Sequence, residues 1–145
     1  MKMSCFSMKS RYCRILFCAL AAFALTACKG SYQKRITDLL VENYAYRLSG
    51  QTTVFVIPGT GCTGCITKAE QFFTENCMKD EYLFIFTNIV SMKNLKIKIG
   101  DQRLLQRDNV ILDVENTLYI AGFEENIYPF KYEFKDGQLV KCQQL

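Results

Sequence analysis

The stretch Thr52-Thr53-Val54-Phe55-Val56-Ile57-Pro58-Gly59-Thr60-Gly61-Cys62-Thr63-Gly64-Cys65 decides how this chain folds. Its first six residues are β-branched or aromatic, the composition of a buried strand. Pro58 to Gly61 break that run. Beyond Cys65, the residues Ile66, Ala69, Phe73 and Cys77 recur at helical spacing, with Lys68, Glu70 and Glu75 elsewhere on the turn. A strand thus delivers two thiols to the first turn of a helix expected over residues 63–78. There the free N–H groups and the positive end of the helix dipole favour a thiolate. This placement suits a reversible disulfide. The plain alternative is a structural staple, but so short a loop restrains the unfolded chain comparatively little.

Working outward, Tyr82-Leu83-Phe84-Ile85-Phe86-Thr87 is a second apolar run, most simply a buried parallel strand that completes a βαβ unit. Residues 91–107 mix two periods and are read as helix broken near Gly100. Asn109 to Asp113 is a short strand, and residues 115–127 are irregular or partly helical. Phe130, Tyr132 and Phe134 then alternate with Lys131, Glu133 and Lys135. Asp136-Gly137 supplies the turn and Leu139-Val140 the return, so the chain ends in a β-hairpin. Before the first strand, Ile36, Leu39, Leu40, Tyr44 and Leu48 mark a helix that ends ahead of Gly50.

Residues 1–27 read as an export signal. Lys2, Lys9, Arg11 and Arg14 precede an apolar run, Ile15 to Leu25, too short for the roughly 20 residues of a membrane span. The ending Leu25-Thr26-Ala27-Cys28 resembles the bacterial lipobox, which implies a lipid on Cys28 and a protein tethered to a membrane. An ordinary signal cut near Ala27 is the alternative. Residues 28–35 then form a lipid-anchored tether and residues 36–145 a single domain.

Charge follows the same division. All 14 acidic residues lie after Cys28, whereas four of the 18 basic ones lie before it, so the formal +4 belongs to the signal. The remainder is balanced, and nothing argues for nucleic acid. The chain holds eight cysteines and no histidine. Cys5, Cys13 and Cys18 leave with the signal, so Cys62, Cys65, Cys77 and Cys142 remain as thiols of the domain. The missing histidine excludes Cys–His and Ser–His catalysis, and Ile66 stands where c-type haem attachment needs His. Zinc or copper would require Cys77 and Cys142 to join the pair, and no second close-spaced pair exists. Cys77 reads as a buried core thiol. Cys142 is free to pair with it, and the sequence does not decide.

These residues resemble the thioredoxin-like superfamily, particularly its exported, membrane-tethered bacterial members. The likeness rests on the strand and Cys62-Thr63-Gly64-Cys65 at a helix start, on the βαβ unit, and on Pro129 followed by the strand, charged-Gly turn and strand of residues 130–142. It implies a three-layer α/β sandwich with a central mixed sheet of four to five strands and a C-terminal hairpin, the family's terminal helix being missing. It also implies that Cys62 attacks a substrate disulfide and Cys65 resolves the mixed disulfide, with no cofactor. By the same resemblance Pro129 is cis beside the dithiol, and Tyr128 offers main-chain hydrogen bonds to a protein substrate. The enzyme assignment hangs on that proline: a trans Tyr128–Pro129 bond, or one remote from Cys62, takes it down, and an X–Pro bond by itself is cis only about 5–6% of the time. Three features depart from the family: Thr63-Gly64 replaces the usual Gly-Pro, there is no tryptophan, and Val56 stands where thioredoxins bury an acid. The expected role is thiol–disulfide exchange with protein partners at the bacterial cell envelope, facing the periplasm. Its rivals are a non-catalytic binding module of the same fold and a metal-handling lipoprotein.

Overall fold

The computed structural model describes residues 29–145. The chain runs α1 (Lys29–Tyr44), β1 (Gln51–Pro58), α2 (Thr63–Asn76), β2 (Tyr82–Thr87), α3 (Met92–Ile99), β3 (Val110–Leu112), β4 (Phe130–Lys135) and β5 (Gln138–Gln144), with short 3₁₀ turns at Ala45–Arg47, Gln102–Gln106 and Glu124–Ile127. One five-stranded sheet has the order β3-β2-β1-β4-β5. β1 lies parallel to β2 and β2 to β3, whereas β4 and β5 are antiparallel to their neighbours. The sheet is therefore mixed, as the hairpin and the βαβ unit require, and the architecture is a three-layer α/β sandwich.

Strand alternation divides the core in two. Val54, Val56, Leu83, Ile85, Phe130, Tyr132 and Phe134 face one side, against Tyr32, Ile36 and Leu40 of α1 and against Leu118 and Ile120. Phe55, Ile57, Phe84 and Phe86 face the other side, against Ile66, Ala69 and Phe73 of α2 and Leu95 and Ile99 of α3. The Phe73 ring meets Phe84 and Phe86 edge-on at 5.0 and 5.1 Å between centroids, each pair contributing roughly 0.5–1.5 kcal/mol beyond area burial.

The hairpin turn matches its sequence. Asp136 and Gly137 both take positive φ, 51° and 77°, as a two-residue turn of the primed kind demands. Their N–H groups donate to the carbonyls of Gly50 and Leu48, which ties the hairpin to the end of the first helical segment. Ser91 caps α3 through its hydroxyl, and Gly100 ends it at φ 80°, in keeping with the break read near Gly100.

Two expectations change here. Lys29–Arg35, expected as a tether, forms the first turns of α1, and Tyr32 is buried between Phe123 and Phe130. The gain from burying that one aromatic ring outweighs the polar character of its neighbours. Cys77 and Cys142 are both free. They belong to the cores on opposite faces of the sheet, which rules out a bond between them. The export signal and Cys28 lie outside the described residues. Among the described residues no helix is long and apolar enough to cross a membrane.

Candidate functional site

β1 ends at Pro58, whose main chain is paired with Thr87, and the chain must then turn from the sheet into α2. The Gly59 N–H donates to the Thr87 carbonyl at 2.8 Å, and Asn88 Nδ2 donates to Thr60 Oγ1 at 2.7 Å. These bonds pin the loop to the end of β2. Gly61 then takes φ 137° with its Cα face pressed on the main chain of Ile127, a contact only glycine accommodates. Cys62 follows as the N-cap of α2: its carbonyl accepts the first helical bond, from the Ile66 N–H at 2.9 Å.

Cys62 and Cys65 are joined as a disulfide with their Cα atoms 5.4 Å apart. Both are half-buried, while Thr63 and Gly64 between them are exposed. The sulfurs thus lie on the first turn of α2, at the carboxyl end of β1, within reach of solvent. A thiolate released there on reduction is favoured by the free N–H groups of that turn.

The segment before β4 is brought to the same spot. The Ile127 carbonyl accepts the Cys62 N–H at 3.0 Å, so residues separated by 65 positions share one edge of the site. Tyr128 is half-buried and Pro129 is buried. The contact with Cys62 is made by Ile127, two residues before Pro129, and the proline's isomer is not as expected: none of the described peptide bonds is cis, so Tyr128–Pro129 is trans. The 3₁₀ turn Glu124–Ile127 delivers Tyr128 in extended conformation, φ −110° and ψ 143°, the geometry that suits a residue preceding proline. The Tyr128 N–H already donates to the Glu125 carbonyl, and the Pro129 carbonyl accepts from the Leu145 N–H. The main-chain donor that the resemblance assigns to Tyr128 for substrate is therefore engaged within the chain.

Val56 is buried in the α1-side core, leaving β1 without an acid beneath the dithiol. The buried carboxylates are elsewhere and occupied. Asp113 accepts from Thr87 Oγ1 and from the N–H groups of Thr117 and Leu118 at 2.8–3.0 Å. Glu70 pairs with Lys98 at 3.2 Å. Among the described residues no group of three or more His, Cys, Asp or Glu is placed to hold a metal ion. The four thiols, split between the loop and the two cores, do not gather into one.

Sequence reasoning missed Ile127, which meets Gly61 and Cys62 through tertiary contacts, and its neighbour Asn126, which bonds to Tyr32, Ile120 and Phe123. The run Glu124-Glu125-Asn126-Ile127 carries no local signal that sets either residue apart. No protein-family model, curated protein or solved structure matches this chain.

Proposed function

We propose that this chain is a lipid-anchored protein of the bacterial envelope that exchanges thiols and disulfides with protein partners through Cys62 and Cys65. The observation that carries the proposal is the half-buried Cys62–Cys65 disulfide on the first turn of α2 at the end of a central strand. In the reducing direction, the Cys62 thiolate attacks one sulfur of a substrate disulfide. A Cys62–substrate bond forms, and the other substrate sulfur leaves with the electron pair and takes a proton. Cys65, once deprotonated, attacks the Cys62 sulfur and releases the second substrate thiol. Two electrons pass from the dithiol to the substrate, and the Cys62–Cys65 bond is restored. The oxidising direction runs the same steps backwards. With no acid at Val56, proton transfer to and from Cys65 needs water or another group.

The basic start, the short apolar run and Cys28 support export and anchoring. Replacing Cys28 by Ser should shift the protein from membranes to the soluble fraction; unchanged membrane association would contradict the anchor.

The trans Tyr128–Pro129 bond and the engaged Tyr128 N–H remove the support that the resemblance lent to an enzyme, so the exchange reading rests on the dithiol alone, and they favour the second reading, a non-catalytic module. Exchange is tested with insulin. The reduced protein should reduce insulin's disulfides, Cys62→Ser should abolish this, and Cys65→Ser should accumulate mixed disulfides through Cys62. No adducts with Cys65→Ser, with partner binding intact in Cys62→Ser, would establish the module instead.

A further inference from the structure

The loop that meets the dithiol is organised around one buried amide. Asn126 Oδ1 accepts the Ile120 N–H at 3.1 Å and the Tyr32 hydroxyl at 3.4 Å. Its Nδ2 donates to the carbonyls of Ile120 and Phe123 at 2.5 and 2.7 Å. Both donors and both acceptor sites of the amide are thereby used. Three of these bonds fold residues 120–126 into a closed loop. The fourth ties that loop to α1, because Tyr32 is itself wedged between Phe123 and Phe130. Asn126 is consequently placed relative to the domain core and not merely to its own loop.

The next residue, Ile127, carries the carbonyl that accepts the Cys62 N–H. Cys62 has no side-chain cap on α2, so its seat at the helix start depends on main-chain bonds: its carbonyl to Ile66 and its N–H to Ile127. We propose that Asn126 is a positioning residue for the dithiol, holding the Ile127 carbonyl on the Cys62 N–H and so keeping Cys62 seated on the first turn of α2. The inference rests on the exchange reading given above. Removing the amide takes the partner from the buried Ile120 N–H and the Tyr32 hydroxyl and leaves the Ile120 and Phe123 carbonyls with only their main-chain bonds at 3.4 Å; the loop re-forms, and the Ile127 carbonyl is withdrawn. Cys62 then drifts from the N–H groups that stabilise its thiolate.

The test compares the reduced full chain with its Asn126→Ala, Asn126→Asp and Tyr32→Phe variants, all in a background where Cys5, Cys13, Cys18, Cys28 and Cys142 are replaced by Ser and the buried Cys77 by Ala, so that only the dithiol reports. The probe is dithiodipyridine, a small disulfide that needs no docking surface, and rates are followed across pH beside thermal unfolding. Asn126→Ala should react about ten-fold more slowly at neutral pH, with its rate profile displaced upward in pH. Tyr32→Phe, which removes one hydroxyl and keeps the rings packed, should lose about two-fold and carries the test if Asn126→Ala folds poorly. Asn126→Asp should be slow at neutral pH, where its carboxylate faces two carbonyl oxygens. It should close the gap to the parent as the pH falls, because the neutral acid regains a donor. Folded variants that melt earlier yet keep the parent's rates and pH profile would overturn the inference and leave Asn126 as a loop cap only. A parent protein that reacts with neither dithiodipyridine nor insulin would sink the exchange reading, and the inference with it.

Discussion

The main chain of Ile127 occupies the space that a Cβ on Gly61 would need. This back-to-back contact lets the Cys62 N–H reach the Ile127 carbonyl at 3.0 Å, and it makes Gly61 the least replaceable residue of the loop. Two costs coincide in Gly61→Ala: a φ of 137° that a side chain tolerates poorly, and collision with backbone that has no rotamer to yield. The expected loss is about 2 kcal/mol, read as a lower denaturation midpoint. Gly64→Ala, with nothing within 4 Å of its Cβ position, should be neutral or slightly stabilising, since alanine suits a helix better. Equal behaviour of the two variants would contradict the packed seam.

Alkaline pH should loosen the same region. Burial foremost, then the charges of Glu125 and Cys142, push the Tyr32 hydroxyl up to about 12 from its ordinary 10.0. The proton is held more tightly in the folded state than in the unfolded one. The contribution is therefore complete below pH 10.0 and is lost as the pH rises through about 12. The ionised oxygen can no longer donate to Asn126 Oδ1. Stability measured from pH 10.0 to 12 should decline, and Tyr32→Phe should decline less steeply over that window. Tyr132, raised chiefly by burial, supplies part of the remaining slope. Parallel slopes for parent and variant would count against a Tyr32 hydroxyl held protonated by its burial.

A chain beginning at Ile36 removes what the sequence presents as a tether. Because Tyr32 is buried and bonded to Asn126, the shortened domain should lose about 3–5 kcal/mol, the usual cost of deleting a large core aromatic. Denaturant unfolding of the two chains reads this directly. A shortened domain as stable as the parent would restore the tether.

How much of this was legible follows from the range of the interactions. β1, β2 and the Phe130–Gln144 hairpin were readable because alternation and the Asp136-Gly137 turn are local signals. The break of α3 at Gly100 was readable for the same reason. The start of α1 was not, since Lys29–Arg35 carries a single apolar anchor, Tyr32, whose partners Phe123 and Phe130 lie some 90 residues away. At the site, the dithiol and its helix start were visible in the spacing. The trans isomer of Tyr128–Pro129 is the ordinary preference of an X–Pro bond, against which the cis expectation rested on the resemblance alone. Asn126 was silent: an asparagine in a loop is ordinary, and only the folded chain turns all four of its hydrogen-bonding sites inward.

The central claim is that the Cys62–Cys65 bond opens and closes as chemistry, with the fold intact. Equilibrating the purified domain across a series of glutathione or dithiothreitol buffers measures that couple's reduction potential. Exchange predicts a value between about −270 and −120 mV, the span of working dithiols, with the protein folded in both forms. A value below about −300 mV, typical of structural bonds, or reduction only after the domain has unfolded, would contradict it.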